Sequence, residues 1–109
     1  MDRIGVLGQS APSATTETTL YTVPAYARSA VISTLVVANR SASGATFRLS
    51  VSVAGGATAN KDYLYYDIAI SGNDTFTATL GLTLGSGDIV RCYASTANLS
   101  FGAFGAEAG

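Results

Sequence analysis

The sequence predicts an all-β chain: a single antiparallel β-sandwich, jelly-roll-like, of about eight strands, spanning residues 1–109 as one domain with short flexible ends. Three observations predict it. Apolar residues recur with a period of two, as on a half-buried strand. Turn-like clusters of Gly, Ser, Asn, Asp and Pro separate these runs at intervals of roughly 8–16 residues, the spacing of a sandwich or jelly roll. No window of about 11 residues carries a 3.6-residue period behind a capping residue.

The elements follow in order. Ile4 to Leu7 reads as a short initial strand, and Thr16 to Val23 as a threonine-rich strand ended by Pro24, which has no N–H for a ladder. Ser29 to Asn39 is rich in β-branched residues but apolar on both faces, with Val31, Leu35 and Val37 against Ile32 and Val36. That pattern marks a central strand covered on both sides, or one whose outer face meets another subunit. In Thr46 to Val53, Phe47, Leu49, Val51 and Val53 form the inward row. Tyr63 to Ile70 places Leu64, Tyr66, Ile68 and Ile70 inward and Tyr65 and Asp67 outward. Thr75 to Leu82 turns Phe76, Ala78, Leu80 and Leu82 inward and threonines outward. The glycine-rich run Gly81 to Gly87 reads as a turn, without the Gly-Lys-Ser/Thr ending or following helix of a phosphate loop. Asp88 to Ala94 buries Val90, Cys92 and Ala94, and Leu99, Phe101 and Ala103 alternate with Asn98, Ser100 and Gly102. Met1 to Arg3 and Ala106 to Gly109 read as the loose ends, free to lie against neighbouring copies.

Composition narrows the function. Ala, Gly, Ser and Thr make up 55 of 109 residues, and six Lys and Arg against seven Asp and Glu give a net charge of −1. That balance carries no basic footprint for nucleic acid. With no His and one Cys, an ordinary zinc site or an intrachain disulfide is excluded, and the commonest general base is missing. Neither a metal nor another cofactor is expected. Met1 to Ile4 does not open a secretory signal, and the apolar stretch Ala30 to Ala38 is too short to span a bilayer, so no membrane partner is expected either.

Candidate residues are few. Asp2, Asp62, Asp74 and Asp88 sit at turns or ends, where Asp bonds local backbone N–H groups. Asp62 and Asp67 are the nearest thing to a paired-carboxylate site, and solvated turn and outer-face residues are the simpler reading. The cluster Tyr63-Leu64-Tyr65-Tyr66 is the most distinctive local feature, because tyrosine supplies broad amphipathic contact area at low entropy cost. Tyr63 and Tyr65 are the candidate interface residues, with Tyr65 pointing outward and Tyr66 in the core. Cys92 reads as a small buried hydrophobe.

Several stretches together carry a resemblance. Val6-Leu7-Gly8-Gln9-Ser10-Ala11-Pro12 leads to Thr15-Thr16-Glu17-Thr18-Thr19-Leu20-Tyr21-Thr22-Val23-Pro24. Val36-Val37-Ala38-Asn39-Arg40, Ala59-Asn60-Lys61-Asp62-Tyr63-Leu64, Asn73-Asp74-Thr75-Phe76 and Leu99 to Gly105 follow. In order and spacing the chain resembles small virion structural proteins of tailed bacteriophages. The resemblance implies a non-enzymatic, multi-copy subunit that assembles in the host cytoplasm and resides in the virion. Its implied partners are other copies of itself and the major capsid, neck or tail proteins. Neck or tail placement, at a collar or fibre attachment, comes first. Capsid decoration on the head, or a host-surface or carbohydrate-binding module of a tail fibre, is the alternative.

Overall fold

The structure is a computed structural model describing residues 3–109; Met1 and Asp2, part of the expected loose N-terminal end, lie outside the described residues. Eight strands form in chain order: β1 (Arg3–Ser10), β2 (Thr18–Thr22), β3 (Ser29–Asn39), β4 (Ala45–Ser52), β5 (Tyr63–Ile70), β6 (Thr75–Gly85), β7 (Ile89–Ala94) and β8 (Leu99–Ala108). They build two four-stranded antiparallel sheets, sheet I in the order β1-β8-β3-β6 and sheet II in the order β2-β7-β4-β5. Apart from the β4–β5 step, consecutive strands alternate between sheets, which is the connectivity of a jelly roll. The fold class expected from the period-two pattern is the one observed.

The core lies between the sheets. Phe47 sits near its centre, its ring 5.1 Å from Phe76, 5.9 Å from Tyr65 and 6.0 Å from Phe101. Among the described residues twenty apolar side chains are buried, five of them alanine, so the core is thin and the large side chains dominate its burial energy. Val90, Cys92 and Ala94 face it from β7, as their alternation predicts.

Bulges correct several face assignments. In β3, Ile32 pairs with Gly105 and Thr34 with Phe104, leaving Ser33 with no counterpart on β8. The extra residue shifts the phase, so Ala30 and Ile32 before it and Leu35 and Val37 after it all enter the core. The apparent two-sided apolarity of this central strand is thus partly one face read across a phase change. Val31 and Val36 do remain on its outer side. Opposite the bulge, a Cβ on Gly105 would lie 1.8 Å from the Val31 carbonyl oxygen, so the strands approach there only because residue 105 lacks one.

In β5 the same device reverses an expectation. Phe47 pairs with Ile68 and Leu49 with Tyr65, so two residues of β4 span three of β5, and Asp67 adopts the left-handed φ of 52°. Ile68 and Ile70 stay inward as expected, but before the bulge Tyr65 turns inward, while Leu64 and Tyr66 are exposed. β4 ends at Ser52; Val53 leaves the inward row for a 3-10 turn (Val53–Gly55) and is 71% exposed.

Two further expectations change. Gly81 to Gly85 belongs to β6, and only Ser86-Gly87 turns, with Gly87 at φ 85°. The C-terminal end is no loose tail, because β8 runs to Ala108 and Glu107 pairs with both Arg3 and Ala30. Glycines and alanines there pack closely between β1 and β3, and their smallness hides the alternation that would have marked the strand.

Candidate interaction surfaces

The outer face of sheet II is built by β2, β7, β4 and β5, and its charged and aromatic part by the last three. Arg48 and Tyr93 stand directly opposite each other in the β4–β7 ladder, and the β5 bulge swings Tyr66 and Asp67 alongside. The Arg48 guanidinium lies 4.2 Å from the Tyr66 ring centroid and 4.4 Å from that of Tyr93. Its Nε donates to Asp67 Oδ1 at 2.7 Å and its Nη2 to Oδ2 at 3.4 Å. The Asp67 hydrogen bond raises the Arg48 pKa further, so this cation persists at any working pH. Tyr63 extends the row, its ring edge-to-face with Tyr66 at 4.9 Å.

Beside this row, Arg91 Nη1 donates to Ser52 Oγ, the Gly56 carbonyl and Thr58 Oγ1 at 2.8, 2.9 and 3.1 Å. Those bonds hold the segment after β4 against the sheet and help bury Ser52. Thr58 in turn donates to Glu17 Oε1 at 3.0 Å. The charges of this face are therefore engaged within the chain.

The two candidate interface tyrosines separate. Tyr63 joins the outer row, half-buried. Tyr65, expected outward, packs inward against Phe47 and Phe76. Tyr66, expected in the core, is 55% exposed and takes the outer position. Residue numbers 48, 66 and 93 lie on three strands, so only the ladder register reveals their stack.

The outer face of sheet I is different in kind. The registers place Ile4 beside Ala106 and Ala106 beside Val31, Val6 beside Phe104, and Val36 beside Gly102. Thr75, Thr77, Thr79 and Thr83 of β6 complete the face against Ala38, Val36, Thr34 and Val31. None of these residues is charged. Ile4, Val6 and Val31 are 88%, 42% and 38% exposed, which makes this an apolar and threonine-lined surface open to solvent in the single chain.

One polar node ties the ends of the two sheets. Glu107, with a fully buried side chain, accepts hydrogen bonds from the hydroxyls of Tyr21 on β2 and, at 3.3 Å, Tyr26; Arg3 Nη1 lies 3.5 Å away. Burial, then the hydrogen bond to Glu107, raises the Tyr21 phenol well above its ordinary value.

Of the other carboxylates weighed from the sequence, Asp2 lies outside the described residues, and Asp62, Asp74 and Asp88 have local partners. Asp62 accepts the Ala59 N–H at 2.9 Å and pairs with Lys61 at 3.1 Å, and these bonds lower its pKa. Asp74 accepts the Thr75 N–H, and Asp88 those of Ala54 and Gly85. Cys92 is buried, and desolvation pushes its thiol up to about 11. Among the described residues no group of three or more acidic or Cys side chains is placed to hold a metal ion, and no helix is long and apolar enough to cross a membrane.

No protein-family model matches the chain, and no curated protein matches it. Among solved structures, it is similar to a pentameric capsid protein isolated from metagenomic phage sequences, at 19% identity and a TM-score of 0.47. The match covers 95% of this chain and 61% of the other, so the chain spans about three fifths of that protein's length.

Proposed function

We propose that the chain is a non-enzymatic structural subunit of a tailed-phage virion, present in many copies as a symmetric oligomer. Its partners are further copies and the neck, tail or major capsid proteins, and its place is the neck and tail region, at a collar or fibre attachment. The sequence stretches from Val6 to Pro24 and from Leu99 to Gly105, with those between, support the phage assignment. The observation that carries the structural role is the outer face of sheet I, uncharged from Ile4 and Val31 to Val36 and bordered at one end by Arg40 on Ser100. A surface of Val, Ala, Gly and Thr loses little side-chain entropy and strips no charge of water when another surface covers it.

The sheet II face supports this reading over a glycan-binding one. Sugar recognition by stacking needs open aromatic faces, whereas Tyr66 and Tyr93 share the Arg48 guanidinium between them. The engagement of Asp67 by Arg48 and of Asp62 by Ala59 supports structural roles for both carboxylates.

The test is mass spectrometry of purified particles followed by imaging that places and counts this chain. Multiple copies at the neck or tail support the proposal. Copies spread over the head shell would make it a decoration protein, and absence from particles would refute a virion role.

A further inference from the structure

We infer that the free edge of β6 pairs with the same edge of a second copy, across a two-fold axis through Thr77 that joins two copies of sheet I into one eight-stranded sheet. This rests on the reading of the chain as a multi-copy subunit and gives it a specific contact.

A sandwich of two open sheets has four edge strands, and exposed edges invite pairing unless they are short, bulged or charged. β1 is bulged between Val6 and Gly8, and Arg3 Nη2 donates to its Val6 carbonyl at 2.6 Å. β2 is only five residues long and bulged between Thr19 and Tyr21. β5 carries the Asp67 bulge with its charge. β6 runs Thr-Phe-Thr-Ala-Thr-Leu-Gly-Leu-Thr-Leu-Gly over 11 residues with no charge and no proline. Its one irregularity sets Leu80 and Gly81 opposite Ser33 and leaves Thr75 to Thr79 as a regular run.

The register shows which groups face outward. The Asn39 N–H donates to the Asp74 carbonyl at 2.9 Å, and β3 and β6 stay in step from there to Thr34 and Thr79. Alternate pairs in an antiparallel ladder exchange hydrogen bonds, so Phe76 and Ala78 bond to β3 while Thr75, Thr77 and Thr79 aim their N–H and C=O groups away from it. The Asp74 carboxylate takes the Thr75 N–H, which bounds the open stretch at that end.

This edge is complementary to itself. Pairing centred on Thr77 sets Thr77 opposite Thr77 of the second copy and Thr75 opposite its Thr79. Both backbone groups then meet at Thr77 and the Thr79 N–H meets the Thr75 carbonyl, while the Thr75 N–H stays on Asp74. On the inner side Phe76 lies opposite Ala78, large against small, and on the outer side threonine meets threonine. The guarded edges of β1, β2 and β5 offer no equal partner, which selects a second β6.

Cysteine crosslinking of the purified chain tests the pairing, with circular dichroism as the check on folding. Thr77→Cys should form a disulfide-linked dimer under oxidation. Thr79→Cys should not, because its own counterpart lies about 13 Å away along the ladder. Thr77→Pro removes an outward N–H and no backbone bond to β3, a substitution an edge strand tolerates, so it should fold and lose the dimer. A wild-type chain that stays monomeric up to its solubility limit would overturn the inference. So would crosslinking of Thr79→Cys as readily as Thr77→Cys, or a Thr77→Pro chain that still dimerises. These readouts need no particle, so their failure is distinct from absence of the chain from virions.

Discussion

The two outer faces of the sandwich are built from the same strand geometry and solve opposite problems. Sheet II carries charge and aromatic rings there, and Arg48, Asp67, Tyr66, Tyr93 and Arg91 find their partners within the chain. Sheet I carries valines, alanines and threonines, with Arg40 only at its end, bonded to Ser100 Oγ at 2.8 Å. The difference teaches that charge on a face does not by itself mark a contact site. A face whose charges are already paired is finished, whereas an uncharged, exposed one gains most by being covered.

The sharpest way to break the comparison is to charge the face that has none. Val31→Lys with Val36→Lys should leave the β6-edge dimer intact and weaken its association into larger oligomers more than tenfold by sedimentation analysis. Both side chains point away from the core, so the monomer should melt within about 0.5 kcal/mol of the parent. Equal loss of fold and assembly would mean that this face is part of the monomer's own packing.

A smaller effect belongs to the node between the sheets. Tyr21→Phe leaves the buried Glu107 carboxylate one donor short and should cost about 1.5–3 kcal/mol in denaturant unfolding. The raised phenol also has a pH signature. Below about pH 10 folded and unfolded chains both keep the proton and the full stability is present. As pH rises further the unfolded chain ionises first, so stability falls, and Tyr21→Phe should flatten that alkaline limb. An unchanged limb would assign it to another group.

The smallest effect is expected on sheet II. Tyr93→Ala removes one of two rings from Arg48 and should lower stability by about 0.5–1 kcal/mol while leaving association untouched. A selective loss of association would reverse the roles given to the two faces.

Much of this contrast was legible before the fold was known. Ser29–Asn39 and Tyr63–Ile70 are bounded as their β-branched and aromatic runs and flanking turns indicate. The threonines of β6 declare an outer face through simple alternation. What alternation cannot carry is a phase change. Ser33 and Asp67 look like ordinary strand residues, yet each adds a residue to the count, and the second exchanges Tyr65 for Tyr66 on the surface. Glu107 was hidden for another reason: among Gly and Ala neighbours its burial depends on Tyr21 and Arg3, which lie far away along the chain.

The most direct measurement compares thiol accessibility on the two faces in the assembled state. Val31→Cys on sheet I and Thr19→Cys on the outer side of sheet II each add one thiol beside the buried Cys92. In the oligomer that forms beyond the β6-edge dimer the thiol at position 31 should react with maleimide at least tenfold more slowly than in the dissociated chain, and the thiol at 19 at the same rate in both. Equal labelling of position 31 in the two states would contradict the account, because the uncharged face would then remain open when the copies come together.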